Sequence, residues 1–390
     1  MRETSPLAHV AEANLDSWRE RGLWRSPAVF ASGQTPTTRL RANDAVDAHQ
    51  AVLFSSSNYL GLAEDPRVVD AAVAATKAYG AGSGGSRLTT GTSELHIRAE
   101  AAVARFTGYP DAVVFATGYQ ANLSTLQALA SPELTIVSDA RNHASIIDGC
   151  RLAKASGASL VVTAHRDTRA VENALVTRTT KYALVITDGL FSMDGVLAPL
   201  PELSRVAREY GAWLMVDDAH SFGTVGERGL GLPEYFGVQP DIQLITASKA
   251  LGAEGGLVAT SKPVAQLLRQ QARSFVFSTS PTPATSAAVL AALKLIESDP
   301  SLVNQLQDNI AYWHKTRGTT PQQGPIIPVH VGDEAAAMDA SAALLDRGFI
   351  VPAIRWPTVA RGAAILRVTL MATHTLSLIH ISEPTRLRRI

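Results

Sequence analysis

The stretch Trp213-Leu-Met-Val-Asp-Asp-Ala-His220 decides the fold class, because an apolar run of strand length ends abruptly in charged residues. The run shows no alternation of apolar and polar residues, which is typical of a strand buried on both faces of a sheet. In such sheets ligands collect where strands end and loops begin. Asp217, Asp218 and His220 are therefore predicted at a ligand-binding edge, where a carboxylate can pair with a protonated ring nitrogen. An ordinary helix cap or loop aspartate is the alternative interpretation.

Similar apolar runs recur along the chain and alternate with helix-length segments. This pattern predicts an α/β fold with a mostly parallel sheet covered by helices. The clearest predicted strands are Ala112–Phe115, Leu134–Val137, Ser159–Val162, Ala183–Ile186, Trp213–Val216, Ile242–Ile245 and Leu257–Ala259. We predict an N-terminal helix and extended segment over residues 1–50, a large domain over 51–290 and a small C-terminal α/β domain over 291–376.

Composition excludes several classes of protein. The 390 residues are 46% apolar, and 35 lysines and arginines balance 35 aspartates and glutamates, so no net charge attracts nucleic acid or an anionic membrane. Cys150 is the only cysteine, which rules out an intrachain disulfide. The start of the chain lacks the apolar core of a signal peptide, and no apolar run approaches the roughly 20 residues that span a bilayer. We expect a soluble cytoplasmic protein without nucleic-acid or membrane partners.

Three further loops follow predicted strands. Thr246-Ala-Ser-Lys249 places a lysine among small residues, where a planar cofactor can approach and where desolvation would make the amine nucleophilic. Gly118 precedes a predicted helix, so free N–H groups there can bind a phosphate, although an ordinary strand-to-helix turn has the same pattern. His143 lies in a third loop, where its ring can stack on a cofactor or serve a structural role.

Other motifs argue against other cofactors. Gly80-Ala-Gly-Ser-Gly-Gly85 matches the dinucleotide-binding pattern, but it follows a predicted helix, Arg67–Tyr79, and the pattern requires a preceding strand. The ten histidines do not fall into metal-ligand spacing, so no metal site is predicted.

Seven motifs occur in order along the chain: Ser57-Asn-Tyr-Leu-Gly-Leu62, Gly82-Ser-Gly-Gly-Ser-Arg87, Thr117-Gly-Tyr-Gln-Ala-Asn122, Asn142-His-Ala-Ser-Ile-Ile147, Phe191-Ser-Met-Asp-Gly195, Asp217-Asp-Ala-His220 and Ser248-Lys-Ala-Leu-Gly252. Together they resemble the α-oxoamine synthase family of pyridoxal-phosphate enzymes, from about residue 15 to about residue 375. The resemblance implies a fold-type I transferase, with a large domain built on a mostly parallel sheet and a smaller C-terminal α/β domain.

The resemblance also implies a role for each matching residue. Lys249 would hold pyridoxal 5′-phosphate as a Schiff base, Asp217 would pair with its ring nitrogen, and His143 would stack on the ring. His220 and Ser192 would hydrogen-bond its phenolic oxygen. The remaining cofactor contacts would be Gly118, Tyr119, Thr246, Ser278 and Thr279. The catalytic residues would be Lys249, His143, Asp217 and His220.

The resemblance extends to the substrates and the assembly. Ser278 and Thr279 would reach the phosphate bound by the neighbouring subunit, which implies a homodimer with shared active sites. Arg367 would clamp the amino-acid carboxylate through two parallel hydrogen bonds. The other substrate contacts would be Arg25, Asn58, His143 and Thr358.

Within the family the likeness is greatest to the biotin-pathway branch, on Asp148-Gly-Cys-Arg-Leu152 and Arg355-Trp-Pro-Thr358. This branch implies an acyltransferase that joins L-alanine to pimeloyl-CoA or a pimeloyl carrier protein, with loss of carbon dioxide. Ser221, after His220, also occurs in the serine-using branch, so glycine or serine with another acyl thioester stays an alternative. An aminotransferase of the same fold and a non-catalytic scaffold are further alternatives.

The end of the chain departs from the family pattern. Where an amphipathic terminal helix is expected, residues 377–390 contain Pro384 and three arginines, and Pro384 would break a helix. We expect Ser377–Ile390 to be foreign to the fold and to contribute nothing to folding or catalysis.

Overall fold

The computed structural model describes residues 5–41 and 48–381. The strands are β1 (Val29–Phe30), β2 (Thr37–Arg41), β3 (Ala48–Leu53), β4 (Asp111–Phe115), β5 (Leu134–Asp139), β6 (Ser159–Thr163), β7 (Tyr182–Asp188), β8 (Trp213–Asp217), β9 (Ile242–Thr246), β10 (Gly256–Thr260), β11 (Ile326–Gly332), β12 (Phe349–Ile350), β13 (Ala353–Ile354) and β14 (Ala364–Thr369). The helices are α1 (Pro6–Glu20), α2 (Pro66–Tyr79), α3 (Glu94–Thr107), α4 (Gly118–Leu129), α5 (Ala144–Ala155), α6 (Thr168–Thr177), α7 (Leu200–Glu209), α8 (Leu232–Phe236), α9 (Lys262–Gln271), α10 (Arg273–Val276), α11 (Pro283–Ser298), α12 (Ser301–Arg317), α13 (Glu334–Asp346) and α14 (Leu376–Ile381).

The central sheet has seven strands in the order β4-β10-β9-β8-β7-β5-β6. Its neighbours pair in parallel except at β10, which runs antiparallel to both β4 and β9. All seven predicted strands of the large domain are present, and the prediction of a mostly parallel sheet is confirmed.

Both faces of this sheet are covered, which explains why its strands lack alternation. In β4, Val113 and Phe115 pack in one apolar cluster with α4, α5 and α9, whereas Ala112 and Val114 pack in another with α3 and α11. Residues on both faces of the central strands are therefore buried, so both positions of their two-residue repeat are apolar, whereas the edge strand β6 is largely exposed.

Helix boundaries follow local capping chemistry. Helix α2 begins after the cap Asp65 with proline in its first turn and ends at Gly80, so the glycine-rich segment does follow a helix. Helix α4 begins at Gly118, because the Thr117 side chain accepts from the amide of Gln120. This start brings the helix N-terminus to the edge of the sheet.

Two small sheets complete the fold. One has the order β1-β2-β3-β12 and the other β11-β14-β13. Strand β12 pairs in parallel with β3, so the N-terminal extended segment and the C-terminal α/β region share a sheet.

The predicted domain boundaries stay a prediction. The N-terminal helix predicted within residues 1–50 spans Pro6–Glu20, and Ser5 caps its start.

The described part of the tail differs from the sequence expectation. Helix α14 contacts α12, and Ile379 has 0% exposure within the main apolar cluster. The Arg317 guanidinium donates to the carbonyl of Ile379 at 3.1 Å. The expectation that everything from Ser377 onward contributes nothing to the fold is therefore wrong at Ile379. Residues 382–390 lie outside the described residues.

Replacing Ile379 by alanine should lower the free energy of unfolding by about 2–4 kcal/mol, because it opens a cavity in the core. Leu376→Ala, at a position that is 49% exposed in the same helix, should change it little. Thermal or denaturant unfolding of the two full-length variants measures the difference. Equal stability of both variants would show that α14 is not packed as described.

Candidate active site

Polar side chains meet where the central strands end. Asp188 ends β7 and Asp217 ends β8, and the two residues are direct partners in the parallel register. Thr246 ends β9, and Lys249 follows three residues later. Because β7, β8 and β9 are parallel, their carboxyl ends lie at one edge of the sheet.

Lys249 lies at the centre of this edge. Its Nζ atom is 2.9 Å from Nε2 of His220, whose Nδ1 is 2.7 Å from the hydroxyl of Tyr59. Burial lowers the pKa of Lys249 to about 8, although the negative charges of Asp217 and Asp188 act in the opposite direction. Burial and the nearby positive charge of Lys249 hold the pKa of His220 well below its usual value. His220 is therefore neutral, and its Nε2 can accept a hydrogen bond from the Lys249 ammonium group while Nδ1–H donates to Tyr59.

A glycine lets the Lys249 loop pack closely against the rest of the protein. Gly252 has a φ of 62°, and a Cβ atom there would lie 2.2 Å from the backbone nitrogen of Ala63. Any side chain would therefore push the loop away from the short 3₁₀ turn Leu62–Glu64. This close approach explains why a glycine stands at position 252 of the loop.

Asp217 is a buried carboxylate held by neutral donors. Its Oδ2 accepts from Nδ2 of Asn122 at 2.6 Å, and its Oδ1 accepts from the amide of Ala219 at 3.0 Å. Asp188, beside it, accepts from the amide of His143 at 3.0 Å. Burial, reinforced by the charge of Asp217, raises the pKa of Asp188 well above its usual value. Asp217 is therefore the carboxylate that faces the site. In the described part of the chain, no cationic side chain forms a salt bridge with it.

His143 lies beside this pair, with an exposed ring. Its Nδ1 is 2.7 Å from the Ser145 hydroxyl and accepts from the Ser145 amide, so the imidazole caps helix α5. The ring of Tyr119 meets it edge-on at 6.3 Å, and the Tyr119 hydroxyl donates to Asp148. These contacts hold the His143 ring in place at the open side of the site.

The N-terminus of α4 forms an anion cradle next to Thr246. A Cβ atom on Gly118 would lie 3.1 Å from Thr246 Oγ1, which is tighter than an ordinary contact, so glycine favours this close approach. The amides of Gly118 and Tyr119 make no hydrogen bond within residues 5–41 and 48–381. First-turn amides of this kind bind phosphate groups, assisted by the helix dipole.

Arg367 brings a second buried positive charge to the site. It lies in β14, is 8% exposed, and donates from Nε to the carbonyl of Ser192 at 2.7 Å. No carboxylate pairs with it among the described residues. Its charge contributes to the lowered pKa of Lys249, which shows that the two groups are close. A buried guanidinium without an acid partner is suited to bind a carboxylate ligand.

Other predicted residues do not join this hydrogen-bonded group. The Asn58 amide is engaged with Glu64 and the Ala63 backbone. The segments of the exposed residues Arg25 and Thr358 are brought together, since Arg355 donates to the carbonyl of Trp24. Ser192 contributes its carbonyl to Arg367, and its hydroxyl makes no hydrogen bond to any other described residue. The predicted roles of these residues stay predictions.

Ser278 and Thr279 lie elsewhere on this chain. They follow α10, and Thr279 forms an isolated bridge with Ser86. Among the described residues, no hydrogen bond joins either of them to Lys249 or Thr246. A role toward a neighbouring subunit is the prediction that remains for them.

The sequence reasoning missed three members of the site. Tyr59 and Asn122 lie within motifs that were recognised, but their hydrogen bonds to His220 and Asp217 join residues far apart in sequence. Asp188 ends an apolar strand just as Asp217 does, and that signal alone could have identified it.

The residues fit pyridoxal phosphate by their chemistry. The site combines a buried lysine amine, a buried carboxylate for a ring nitrogen, an anion cradle and the buried Oδ1 of Asn122, which has no partner. Among the described residues, no cluster of three or more histidines, cysteines or acids is placed to share a metal ion. None of the described helices is long and apolar enough to cross a membrane.

Fold and site together define a fold-type I pyridoxal-phosphate transferase. The chain belongs to the aminotransferase class I and II family, whose sequence profile matches residues 49–381.

Individual relatives narrow the comparison. The 8-amino-7-oxononanoate synthase of Geobacter sulfurreducens is 44% identical, over 92% of this chain and 92% of that protein. The biotin biosynthesis bifunctional protein BioWF of Corynebacterium kroppenstedtii is 46% identical over 95% of this chain, which spans only 56% of that longer protein. Serine palmitoyltransferase from S. paucimobilis, solved with a PLP–myriocin aldimine, has a TM-score of 0.88 at 29% identity, covering 97% of this chain and 96% of that one. The predicted likeness to α-oxoamine synthases is confirmed.

The neutral fraction of the Lys249 amine should increase as pH rises through about 8, because burial lowers its pKa to that value. Since the neutral amine is the nucleophile, covalent capture of pyridoxal phosphate by the cofactor-free chain should accelerate with pH and level off above about 8. Borohydride trapping over a pH series measures the rate, and Lys249→Ala should show no capture at that position. A rise centred near 10.5, the ordinary lysine value, would contradict the described burial.

Proposed function

We propose that this protein condenses L-alanine with a pimeloyl thioester, releasing carbon dioxide and a thiol, to form 8-amino-7-oxononanoate for biotin synthesis. The observation that carries the proposal is the buried Arg367, which has no acid partner in the described chain and lies close to Lys249. A cofactor amine and a carboxylate-binding cation are thus held side by side, as a free amino-acid substrate requires. The family match and the 44% identity to a named 8-amino-7-oxononanoate synthase support the choice of reaction.

Several residues would hold the cofactor. Lys249 would bind it covalently, Asp217 would face its ring nitrogen and His143 its ring. The anion cradle of Gly118, Tyr119 and Thr246 suits its phosphate, and His220 and Ser192 would flank its phenolic oxygen. When bound, pyridoxal phosphate supplies an electron sink for negative charge at the α-carbon of the amino acid.

Side chains of the protein would then bind the substrate carboxylate and transfer protons. Arg367 would hold the alanine carboxylate through two parallel hydrogen bonds. The Lys249 amine, with a pKa near 8, would take the α-proton and later return one to the same carbon. The α-carbon would form a bond to the thioester carbonyl carbon as the carbon–sulfur bond breaks, and the former alanine carboxylate would leave as carbon dioxide. Neutral His220 would keep the Lys249 amine oriented through its Nε2 lone pair.

Asn122 and Asp188 are the neighbours of the Asp217 carboxylate. The Asn122 amide fixes one carboxylate oxygen of Asp217, so the other atoms of the group cannot rotate freely. Burial and the charge of Asp217 raise the pKa of Asp188 well above its usual value. The hydrogen bond from Asn122 would orient the Asp217 carboxylate toward a protonated ring nitrogen.

A serine-using acyltransferase is the second candidate, because the serine palmitoyltransferase structure matches this chain closely and Ser221 follows His220. However, Ser221 is fully buried and its hydroxyl donates to Asp218. Its side chain therefore serves the protein interior, and it gives no reason to prefer serine as the substrate.

A homodimer with shared active sites is part of the proposal. Phe277 is 71% exposed and Leu88 is 50% exposed, and both flank the Ser86–Thr279 bridge. Exposed large apolar side chains of this kind favour burial against another subunit. Ser278 and Thr279 of each subunit would then contact the phosphate bound by the other. The cytoplasmic location stays a prediction.

The substrate is tested by incubating the purified holoenzyme with pimeloyl-CoA and, separately, alanine, glycine or serine. Thiol release should require alanine, and it should be absent in Lys249→Ala, which lacks the amine that binds the cofactor and moves the proton. Release with serine or glycine alone would replace the proposed reaction by another of the same family. Transfer of the amino group to a keto acid without thiol release would indicate an aminotransferase.

Arg367→Lys should raise the KM for alanine at least about tenfold, because a lysine offers a point charge where the guanidinium offers a planar pair of donors. Steady-state kinetics at varied alanine and saturating thioester measure the effect. Arg361→Lys, at an exposed arginine of the same small domain, is the control. An unchanged KM in Arg367→Lys would assign the carboxylate to another residue.

A further inference from the structure

Two segments far apart in sequence are joined on the surface that carries Ser278 and Thr279. They are the glycine-rich loop, residues 80–92, and the connecting segment, residues 277–282. Their contacts are Ser83 Oγ to the Ser280 carbonyl at 2.8 Å, the Ser280 amide to the Gly85 carbonyl at 2.9 Å, and the bridge between Ser86 and Thr279.

The buried side chain of His96 holds the glycine-rich loop and the connecting segment in place from the protein interior. It lies in the first turn of α3 with 0% exposure. Its Nδ1 accepts from the Ser93 amide at 3.0 Å, and its Nε2 is 2.9 Å from the Pro281 carbonyl. An amide can only donate and a carbonyl can only accept, so the ring is neutral with its proton on Nε2. Burial lowers the pKa of His96, which is consistent with this state.

The connecting segment depends on this interior hydrogen bond because its outer side is open. Phe277 is 71% exposed, and the Ser278 hydroxyl donates only to the neighbouring carbonyl of Thr279, at 3.3 Å. The Thr279 hydroxyl has no hydrogen-bond partner within the described ranges. Both hydroxyls are thus available to an anion, while the backbone that carries them is held by His96 and Ser280.

We propose that His96 is a positioning residue, which sets Ser278 and Thr279 at the height and angle needed to contact the cofactor phosphate of the neighbouring subunit. The inference rests on the proposed pyridoxal-phosphate homodimer and adds a residue that touches neither substrate nor cofactor. Loss of the Nε2–H of His96 should therefore weaken cofactor binding more than it lowers the stability of the fold.

Two substitutions separate the two ring nitrogens. His96→Asn keeps an oxygen near the position of Nδ1, which can accept from the Ser93 amide, but has no donor long enough to reach Pro281. His96→Gln has a longer side chain, whose amide can donate to the Pro281 carbonyl. The glutamine variant should therefore recover most of what the asparagine variant loses.

The chain offers a matched control in His374. It is also buried, its Nδ1 accepts from the Met371 amide at 2.9 Å, and its Nε2 is 2.9 Å from the Leu53 carbonyl. His374→Asn removes the same kind of hydrogen bond from a histidine that, within the described residues, makes no hydrogen bond to the connecting segment. It reports what such a loss does to folding alone.

The measurements are the dissociation constant of pyridoxal phosphate from the full-length protein, followed by its absorbance, and the unfolding temperature. His96→Asn should raise the dissociation constant about tenfold, His96→Gln less than threefold and His374→Asn less than twofold, with similar drops in unfolding temperature for the two asparagine variants. Equal cofactor loss in both asparagine variants, or none in His96→Asn, would overturn the proposal. So would a wild-type protein that sedimented as a monomer with cofactor fully bound. A wild-type holoenzyme that released no thiol would refute the proposed reaction, while the cofactor affinities would still decide the role of His96.

Discussion

The buried amine of Lys249 is the constraint on which the rest of the site depends. An ammonium group withdrawn from water is costly unless acids or acceptors compensate it, and here the compensation is only partial, so the pKa falls to about 8. A fully paired lysine would be inert, and a fully exposed one would be protonated at neutral pH. The arrangement of Asp217 and Asp188 at strand ends, with neutral His220 in contact, produces the intermediate state.

The backbone around Lys249 serves the same constraint. Gly252 allows its loop to lie against the turn that follows Tyr59, and Tyr59 in turn orients His220. The small C-terminal sheet then supplies Arg367 from the other side. Residues from the N-terminal, central and C-terminal parts of the chain therefore converge on one amine, and the pairing of β3 with β12 helps to hold these parts together.

The central sheet could be predicted from sequence because its inner strands are buried on both faces, which leaves uninterrupted apolar runs such as Ala183–Ile186. A glycine before a predicted helix also indicated the anion cradle at Gly118, where the Thr117 cap starts α4. Pairing between Phe349 and Val52 is a long-range event with no local signal, so the link between the two ends of the chain could not be predicted.

The site was predictable to a similar extent. Lys249, Asp217 and His220 follow strands, and their positions at one edge follow from a parallel sheet. Their partners Tyr59 and Asn122 required tertiary structure, since a hydrogen bond between distant residues leaves no periodic pattern. At the tail, Pro384 and the arginines predicted a segment foreign to the fold, whereas Ile379 packs in the main apolar cluster.

The adjacent acids Asp217 and Asp218 show how strand geometry assigns different roles to similar residues. Neighbouring side chains at a strand end point to opposite sides. Asp217 accordingly meets Asn122 of α4, whereas Asp218 accepts from Gln243 and Ser221 on the other side. Burial raises the pKa of Asp218 to about 7, so near neutral pH it is partly protonated and binds the loop together as much by hydrogen bonds as by charge. Of these two neighbouring acids, Asp217 is the one whose charge acts on Lys249, and exchanging the environments of the two side chains would require a shift of register by one residue in β8.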